Sequence, residues 1–213
     1  MSLLVNETFY SIQGESSFAG LPCFFIRLTG CNLRCSYCDT PYAYEEGKSL
    51  SVEDVLSAIP PDHTGLVEVT GGEPLLQDEC PALIDRLVRE GHTVLVETNG
   101  SLDIRSLPGG SVCILDIKCP DSGMSDRMDL HNLHRLRSRD EVKFVVQSRA
   151  DYLWARDLMQ QGLPRPAEKV LFSPAHGTCD PKELAEWLLA DRLEARIQLP
   201  LHRLLWPDIE RAK

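Results

Sequence analysis

Three cysteines, Cys31, Cys35 and Cys38, follow directly on an apolar stretch, Cys23 to Thr29, that reads as a β-strand. Their C-x3-C-x2-C spacing lets three thiolates wrap one face of a metal cluster, and no fourth cysteine stands nearby. Structural zinc and plain electron-transfer clusters normally close with four protein ligands. Three thiolates on a cubic 4Fe-4S cluster instead leave one iron open to a small molecule.

Other readings stay open on the cysteines alone. A distant residue such as Cys23 or His63 would complete a zinc site, although structural zinc favours paired C-x2-4-C knuckles. A disulfide framework is disfavoured, because the cysteines at 23, 80, 113, 119 and 179 are scattered singly and the chain shows no secretory signal with a basic start and an apolar core. A reducing cytoplasm is the expected compartment.

The 213 residues carry no Gly/Ser-rich or Pro-rich linker, so one domain spanning 1–213 is expected. A formal charge of −10 argues against a general nucleic-acid binder. No apolar run approaches the length of a transmembrane helix. The expected partners are a small-molecule substrate and a reductant, with no nucleic acid and no membrane.

Short β-type runs alternate with helix-type segments. Predicted strands are Cys23 to Thr29, Leu66 to Thr70, Thr93 to Glu97, Val112 to Lys118, Val142 to Gln147, Lys169 to Phe172 and Arg196 to Leu199. Most are continuous apolar runs, as parallel strands between helices and a ligand-filled interior would be. One helix opens at Ser51 with Asp54 three residues on, a capping-box start, and Pro60-Pro61 stops it. A second spans about Asp78 to Glu90 and closes at Gly91. Ala150 to Gln161 and Pro181 to Ala190 are two more. The alternation predicts an α/β fold, an incomplete (β/α)6-type parallel barrel with shortened helices.

In such barrels the chemistry sits at the carboxyl ends of the strands. The motifs fall there: the cysteine loop after the first, Thr70-Gly71-Gly72-Glu73-Pro74 after the second, Glu97-Thr98-Asn99-Gly100 after the third, Asp116-Ile117-Lys118 after the fourth and Ser173-Pro174-Ala175-His176 after the sixth. Two residues without Cβ let backbone approach a ligand closely, and the following carboxylate can receive an amino group.

The cysteine spacing with Gly71-Gly72-Glu73 downstream resembles the radical S-adenosylmethionine (SAM) superfamily. Phe9 to Ser16, Gly20 to Arg27, Cys31 to Thr40, Thr70 to Pro74, Glu97 to Gly100 and the segment around His202 to Pro207 narrow the resemblance to the 7-carboxy-7-deazaguanine synthase family, over nearly the whole chain. The resemblance implies a lyase, a shortened barrel and typically a homodimer. Its reaction converts 6-carboxy-5,6,7,8-tetrahydropterin to 7-carboxy-7-deazaguanine with loss of ammonia, for queuosine and other deazapurines. Hydrogen removal at C6 and ring contraction, with SAM regenerated, are the implied steps.

The same resemblance implies roles by position. Cys31, Cys35 and Cys38 would bind the 4Fe-4S cluster. Tyr37, Cys38, Asp39, Gly72, Asp116, Ile117, Lys118 and Ser173 to His176, with Pro174 and Ala175 between, would hold SAM. Ile12, Gln13 and Gly14 would bond the pterin edge, Arg27 would pair with the substrate carboxylate, and Thr70 and Glu97 would face the ring. Thr40 would contribute to a Mg2+ site, and an electron donor such as flavodoxin or ferredoxin is implied. In some relatives the chain ends at the proline matching Pro207, whose carboxylate reaches the substrate. Here six residues follow it. Ser16, where a glycine is common, and Asp116, where several relatives have serine, also depart from the pattern. The alternative reading is an activase for a glycyl-radical enzyme, which needs an open protein-binding face and no pterin-reading segment. A non-catalytic iron–sulfur or zinc module is a further one.

Overall fold

In a computed structural model of the chain, which describes residues 2–162, 169–209 and 211–212, a nine-stranded sheet runs in the order β3-β1-β2-β4-β5-β6-β7-β8-β9. β1 (Ser2–Ile12) and β3 (Lys48–Ser51) are additions to the predicted set. Only Leu3, Val5 and Ser11 of β1 are buried, so no apolar run marks it. It pairs antiparallel with β2 (Pro22–Leu28) on one edge and with β3 on the other.

From β2 onward every pairing is parallel, through β4 (Leu66–Gly71), β5 (Thr93–Thr98), β6 (Val112–Lys118), β7 (Glu141–Val146), β8 (Val170–Pro174) and the two-residue β9 (Arg196–Ile197). This is the expected partial barrel, with an antiparallel pair added at its amino-terminal edge.

The covering helices are short. α1 (Val52–Ser57) starts at the predicted capping box, in which the Ser51 hydroxyl accepts from the Asp54 N–H and the Asp54 carboxylate accepts from the Ser51 N–H, both at 3.1 Å. It stops at Ala58, ahead of the proline pair. α2 (Cys80–Arg89) buries Leu83, Ile84 and Leu87 on one stripe, and Gly91 at φ 92° ends it. α3 (Asn132–Arg135) is one turn, α4 spans Arg149–Gln160 and α5 spans Pro181–Ala190, as predicted. Between β5 and β6 the only helical piece is a 3-10 turn, Ile104–Ser106. α6 (Leu201–Leu205) was not predicted and lies near the chain's end.

Strand alternation sorts the side chains into two layers. Outward positions such as Ile26, Val69, Val96, Leu115, Phe144 and Phe172 form the main core with the helices. Inward, Cys23, Phe25, Leu66, Leu95, Val112 and Ile114 plug the barrel near the strand starts, together with Phe9 and Phe18. Phe9 stacks on Phe25 with ring centroids 4.8 Å apart. The strands are therefore not uniformly apolar: beyond the plug the inward positions become Arg27, Thr70, Glu97, Asp116 and Lys143, a buried polar layer at the carboxyl ends.

Candidate active site

The cysteine loop leaves β2 through Gly30, at φ 101°, and is pinned where the Gly30 N–H donates to Ala43 O at 2.9 Å. The Gly71-Gly72-Glu73 backbone packs against it. The Glu73 N–H donates to Gly30 O at 2.7 Å, and a Cβ on Gly72 would stand 2.7 Å from Cys31 Cβ. All eight cysteines are free, and Cys31, Cys35 and Cys38 are half-buried. Burial pushes the Cys31 and Cys35 thiols up. The Leu33 N–H and the Asn99 side-chain amide approach Cys31 Sγ at 3.4 and 3.9 Å.

Among the described residues no three His, Cys, Asp or Glu side chains converge on a single ion. Ligands of one zinc ion sit only about 3.8 Å apart, whereas three thiolates on a cubane each take a different iron, so this donor set suits a cluster. Cys23 and His63, the distant residues that a zinc site would recruit, do not line the cavity: Cys23 lies in the apolar plug and His63 stacks on His92.

Glu73 does not do what its place after two glycines suggests. It is fully buried and accepts from Thr98 Oγ1 at 2.8 Å, Asn99 N at 2.7 Å and Leu75 N at 3.0 Å. Burial raises its carboxyl to about 6 against these three bonds. It ties the end of β4 to the turn after β5, and it is not among the residues that line the cavity.

A cavity of about 230 Å³ joins the cysteine loop to the polar layer. Of the residues predicted for the site, all but Ile117 and Pro207 line it. The Ile117 side chain belongs to the outer core, because its parity on β6 is opposite to that of Asp116 and Lys118. Pro207 is exposed, and Ile209 and Ala212 of the same tail line the cavity in its stead.

On the cluster side, the Tyr37 hydroxyl and Asp116 Oδ1 are buried polar atoms without a protein partner. Asp116 Oδ2 is 2.9 Å from Lys118 Nζ and 3.2 Å from Lys143 Nζ. Burial opposes ionisation of Asp116, but the two ammoniums outweigh it and hold the carboxyl below its usual range. Lys118 Nζ also lies 5.6 Å from the centre of the Tyr37 ring.

On the far side, Arg27 is half-buried, with Nε 2.9 Å from Glu7 Oε1 and the guanidinium 5.7 Å from the Phe9 ring. No hydrogen bond to its terminal nitrogens is made among the described residues, which leaves a fork suited to a carboxylate. Thr70 Oγ1 donates to Glu97 Oε2 at 3.2 Å, as neighbouring strand ends allow. Thr40 precedes the 3-10 turn Pro41–Tyr44 and spends no side-chain bond capping it; its hydroxyl lies 3.9 Å from Cys38 Sγ.

Gln13 is held by its neighbours. Its backbone N–H and C=O are bonded to Leu21 O and Gly20 N, its Nε2 donates to Glu68 and its Oε1 accepts from Glu15 N at 2.9 Å. Gln13 braces the turn after β1 and also lines the cavity. The Gly14 carbonyl is also engaged, by the Leu201 N–H at 2.9 Å, and a Cβ on Gly14 would strike the His202 ring. Arg203 reaches Asp39 at 3.4 Å, so α6 and the tail lie across one side of the mouth.

Sequence reasoning missed Glu68 and Lys143 as site residues, and Glu15 entered only as the end of the pterin-reading segment 11–15. Glu68, buried on the cavity wall, is pushed up to about 8 by burial and by the Glu97 and Glu15 charges. Lys143 stays an ammonium despite burial because Asp116, Glu15 and Glu97 surround it. The available signal was a single charge inside each apolar run, at the inward parity: Glu68 in Leu66 to Thr70 and Lys143 in Val142 to Val146.

Comparison with known proteins agrees with this geometry. Residues 25–108 match the radical SAM superfamily. A 7-carboxy-7-deazaguanine synthase of Koribacter versatilis is 42% identical over 95% of this chain and 96% of its own length. That of Chlorobaculum tepidum is 42% identical over 97% and 96%. The crystal structure of QueE from Escherichia coli superposes with a TM-score of 0.78 at 25% identity, covering 95% of each chain. An open-iron cysteine loop at the mouth of a partial barrel, with full-length likeness to these relatives, establishes that the chain belongs to the 7-carboxy-7-deazaguanine synthase family of the radical SAM superfamily.

Proposed function

We propose that this chain is a single-domain radical SAM lyase that converts 6-carboxy-5,6,7,8-tetrahydropterin to 7-carboxy-7-deazaguanine with release of ammonia. The observation that carries the reading is one continuous cavity bounded by Cys31, Cys35 and Cys38 at one end and by Arg27, Thr70 and Glu97 at the other. When bound, the 4Fe-4S cluster and SAM supply a carbon radical able to remove a hydrogen atom. The three cysteines hold the cluster. The unpartnered Tyr37 hydroxyl and Asp116 Oδ1, with Asp39, Gly72, Lys118 and the Ser173 to His176 stretch, hold SAM.

Arg27 binds the substrate carboxylate through its free terminal nitrogens, and the half-buried position limits the water that would compete for that pair. Ile12 and Gly14 bound the ring plane. Thr70 and Glu97 face the ring, with Glu97 able to accept a proton from a ring N–H as ammonia is lost. Thr40 supplies one oxygen to a Mg2+ ion whose other ligands are waters and the substrate carboxylate, as a hard cation with few protein ligands requires. The enzyme acts in the cytoplasm as a homodimer fed by a one-electron donor of the flavodoxin or ferredoxin type. No helix of the described residues is long and apolar enough to cross a membrane.

The test is an anaerobic assay of reconstituted, reduced protein with SAM, Mg2+ and substrate. Catalytic formation of the deazapurine with SAM regenerated is expected. Stoichiometric 5′-deoxyadenosine without deazapurine would overturn the assignment. The activase reading is disfavoured by the tail contacts, Leu201 to Gly14 and Arg203 to Asp39, which cover one side of the mouth.

A further inference from the structure

Lys143 lies in the middle of β7, paired with Asp116 of β6 and Leu171 of β8. Its side chain is 5% exposed. Nζ is 2.6 Å from Glu15 Oε2 and 3.2 Å from Asp116 Oδ2, and it also bonds Glu97 Oε1. An ammonium has three donors, and these three carboxylates take them all. They come from three separate places: the turn after β1, the end of β5 and the end of β6. Lys143 has nothing left with which to bind a ligand.

Its partners differ in that respect. The Glu15 and Glu97 side chains are 26% and 28% exposed, both toward the cavity that they line. Glu15 has its second oxygen without a bond among the described residues. Asp116, by contrast, keeps a second cation in Lys118 at 2.9 Å. Removing Lys143 would therefore leave Glu15 and Glu97 without a cation while Asp116 retained one.

We propose that Lys143 is a positioning residue for the substrate half of the pocket: it fixes Glu15 and Glu97 side by side, so that their outer oxygens accept from the N–H-rich edge of a planar heterocycle. The proposal rests on the pterin reading, since that ring presents adjacent N–H donors. Lys143 is the cation that faces both acids, and one oxygen of each is tied to it. The other charges around them are Glu68 on β4 and Asp116 and Lys118 on β6. A hydrophobic residue in its place leaves the two acids without the cation that bridges them, so that like-charge repulsion moves them apart.

The test compares reconstituted wild type with Lys143→Met and Lys143→Arg. In the Met variant the substrate KM is expected to rise about 10- to 100-fold, as for the loss of one or two charge-assisted hydrogen bonds. The KM for SAM and the change that SAM induces in the cluster's electron paramagnetic resonance spectrum are expected to stay near wild type, because Lys118 still serves Asp116. The Arg variant, which keeps the charge, is expected to recover most of the substrate KM. Equal rises in both KM values, or an Arg variant as impaired as the Met variant, would overturn the proposal. A ligand-free readout stands apart from the substrate's identity: hydrogen exchange of the 13–17 amides is expected to speed up in Lys143→Met and not in Lys143→Arg. Unchanged exchange in a folded Met variant would overturn the positioning role. Wild-type protein that fails to make the deazapurine would sink the pterin reading while leaving the exchange result to judge Lys143.

Discussion

Every polar atom of Gln13 has a partner, and that of its Nε2 is Glu68, a buried acid of the barrel interior. The pair explains why a glutamine stands in a turn that a ligand approaches: it converts a carboxyl group on the cavity wall into support for Glu15. Burial and the neighbouring Glu97 and Glu15 charges raise Glu68 from 4.5 to about 8. A carboxyl whose folded value is raised holds its proton more tightly when folded, so its contribution to stability is complete below 4.5 and is lost as pH climbs through about 8. Glu68→Gln keeps the shape and cannot ionise. Urea unfolding of wild type is expected to show a falling midpoint between these pH values, and of Glu68→Gln a flatter profile, with a cost below about 1 kcal/mol at low pH because the variant amide can still accept from Gln13. Parallel profiles for the two proteins would contradict the raised carboxyl.

At the scale of elements, the strand ends were legible because each carries a turn signal or an apolar run that stops at it. β4, β5 and β6 and helix α5 lie within a residue of where the pattern puts them. β1 was not legible, since its stability comes from two antiparallel neighbours rather than from its own side chains, and the polar Asn6, Glu7 and Thr8 interrupt any apolar pattern. Glu73 was misread for a related reason: a carboxylate after Gly-Gly suggests a ligand contact, while its actual partners, Thr98 and Asn99, belong to an element distant in sequence. The glycines were read as letting backbone approach a ligand, and the close approach found in the structure is to the chain itself. At Gly72 the approach is to the cysteine loop, with Gly30 O and Cys31 Cβ against the missing side chain. Gly72→Ala has to push that loop outward, at a cost of about 1–3 kcal/mol. Iron and sulfide per chain are expected to fall well below wild type after anaerobic reconstitution, and unchanged iron content would show that the loop absorbs the methyl freely.

Across the whole molecule, folding and cofactor binding draw on opposite faces of one sheet. The outward face carries the apolar core with the helices, whereas the inward face near the strand ends is charged and half-open. A chain of this size buries enough apolar surface to fold without a metal, unlike a zinc finger. The cysteine loop contributes little to that core: Leu33 is its buried apolar side chain, and beyond the Gly30 tie it is held by bonds such as Ser36 N–H to Ser122 O at 3.0 Å. Stripping the cluster is therefore expected to leave a cooperative urea transition and the sheet's far-UV circular dichroism in place. Hydrogen exchange should separate the two faces, with β4 to β8 keeping their protection and residues 31–44 losing theirs until cluster and SAM are restored. A stripped protein that melts without cooperativity would mean that the cysteine loop, and not the outer core, holds the barrel's open edge together.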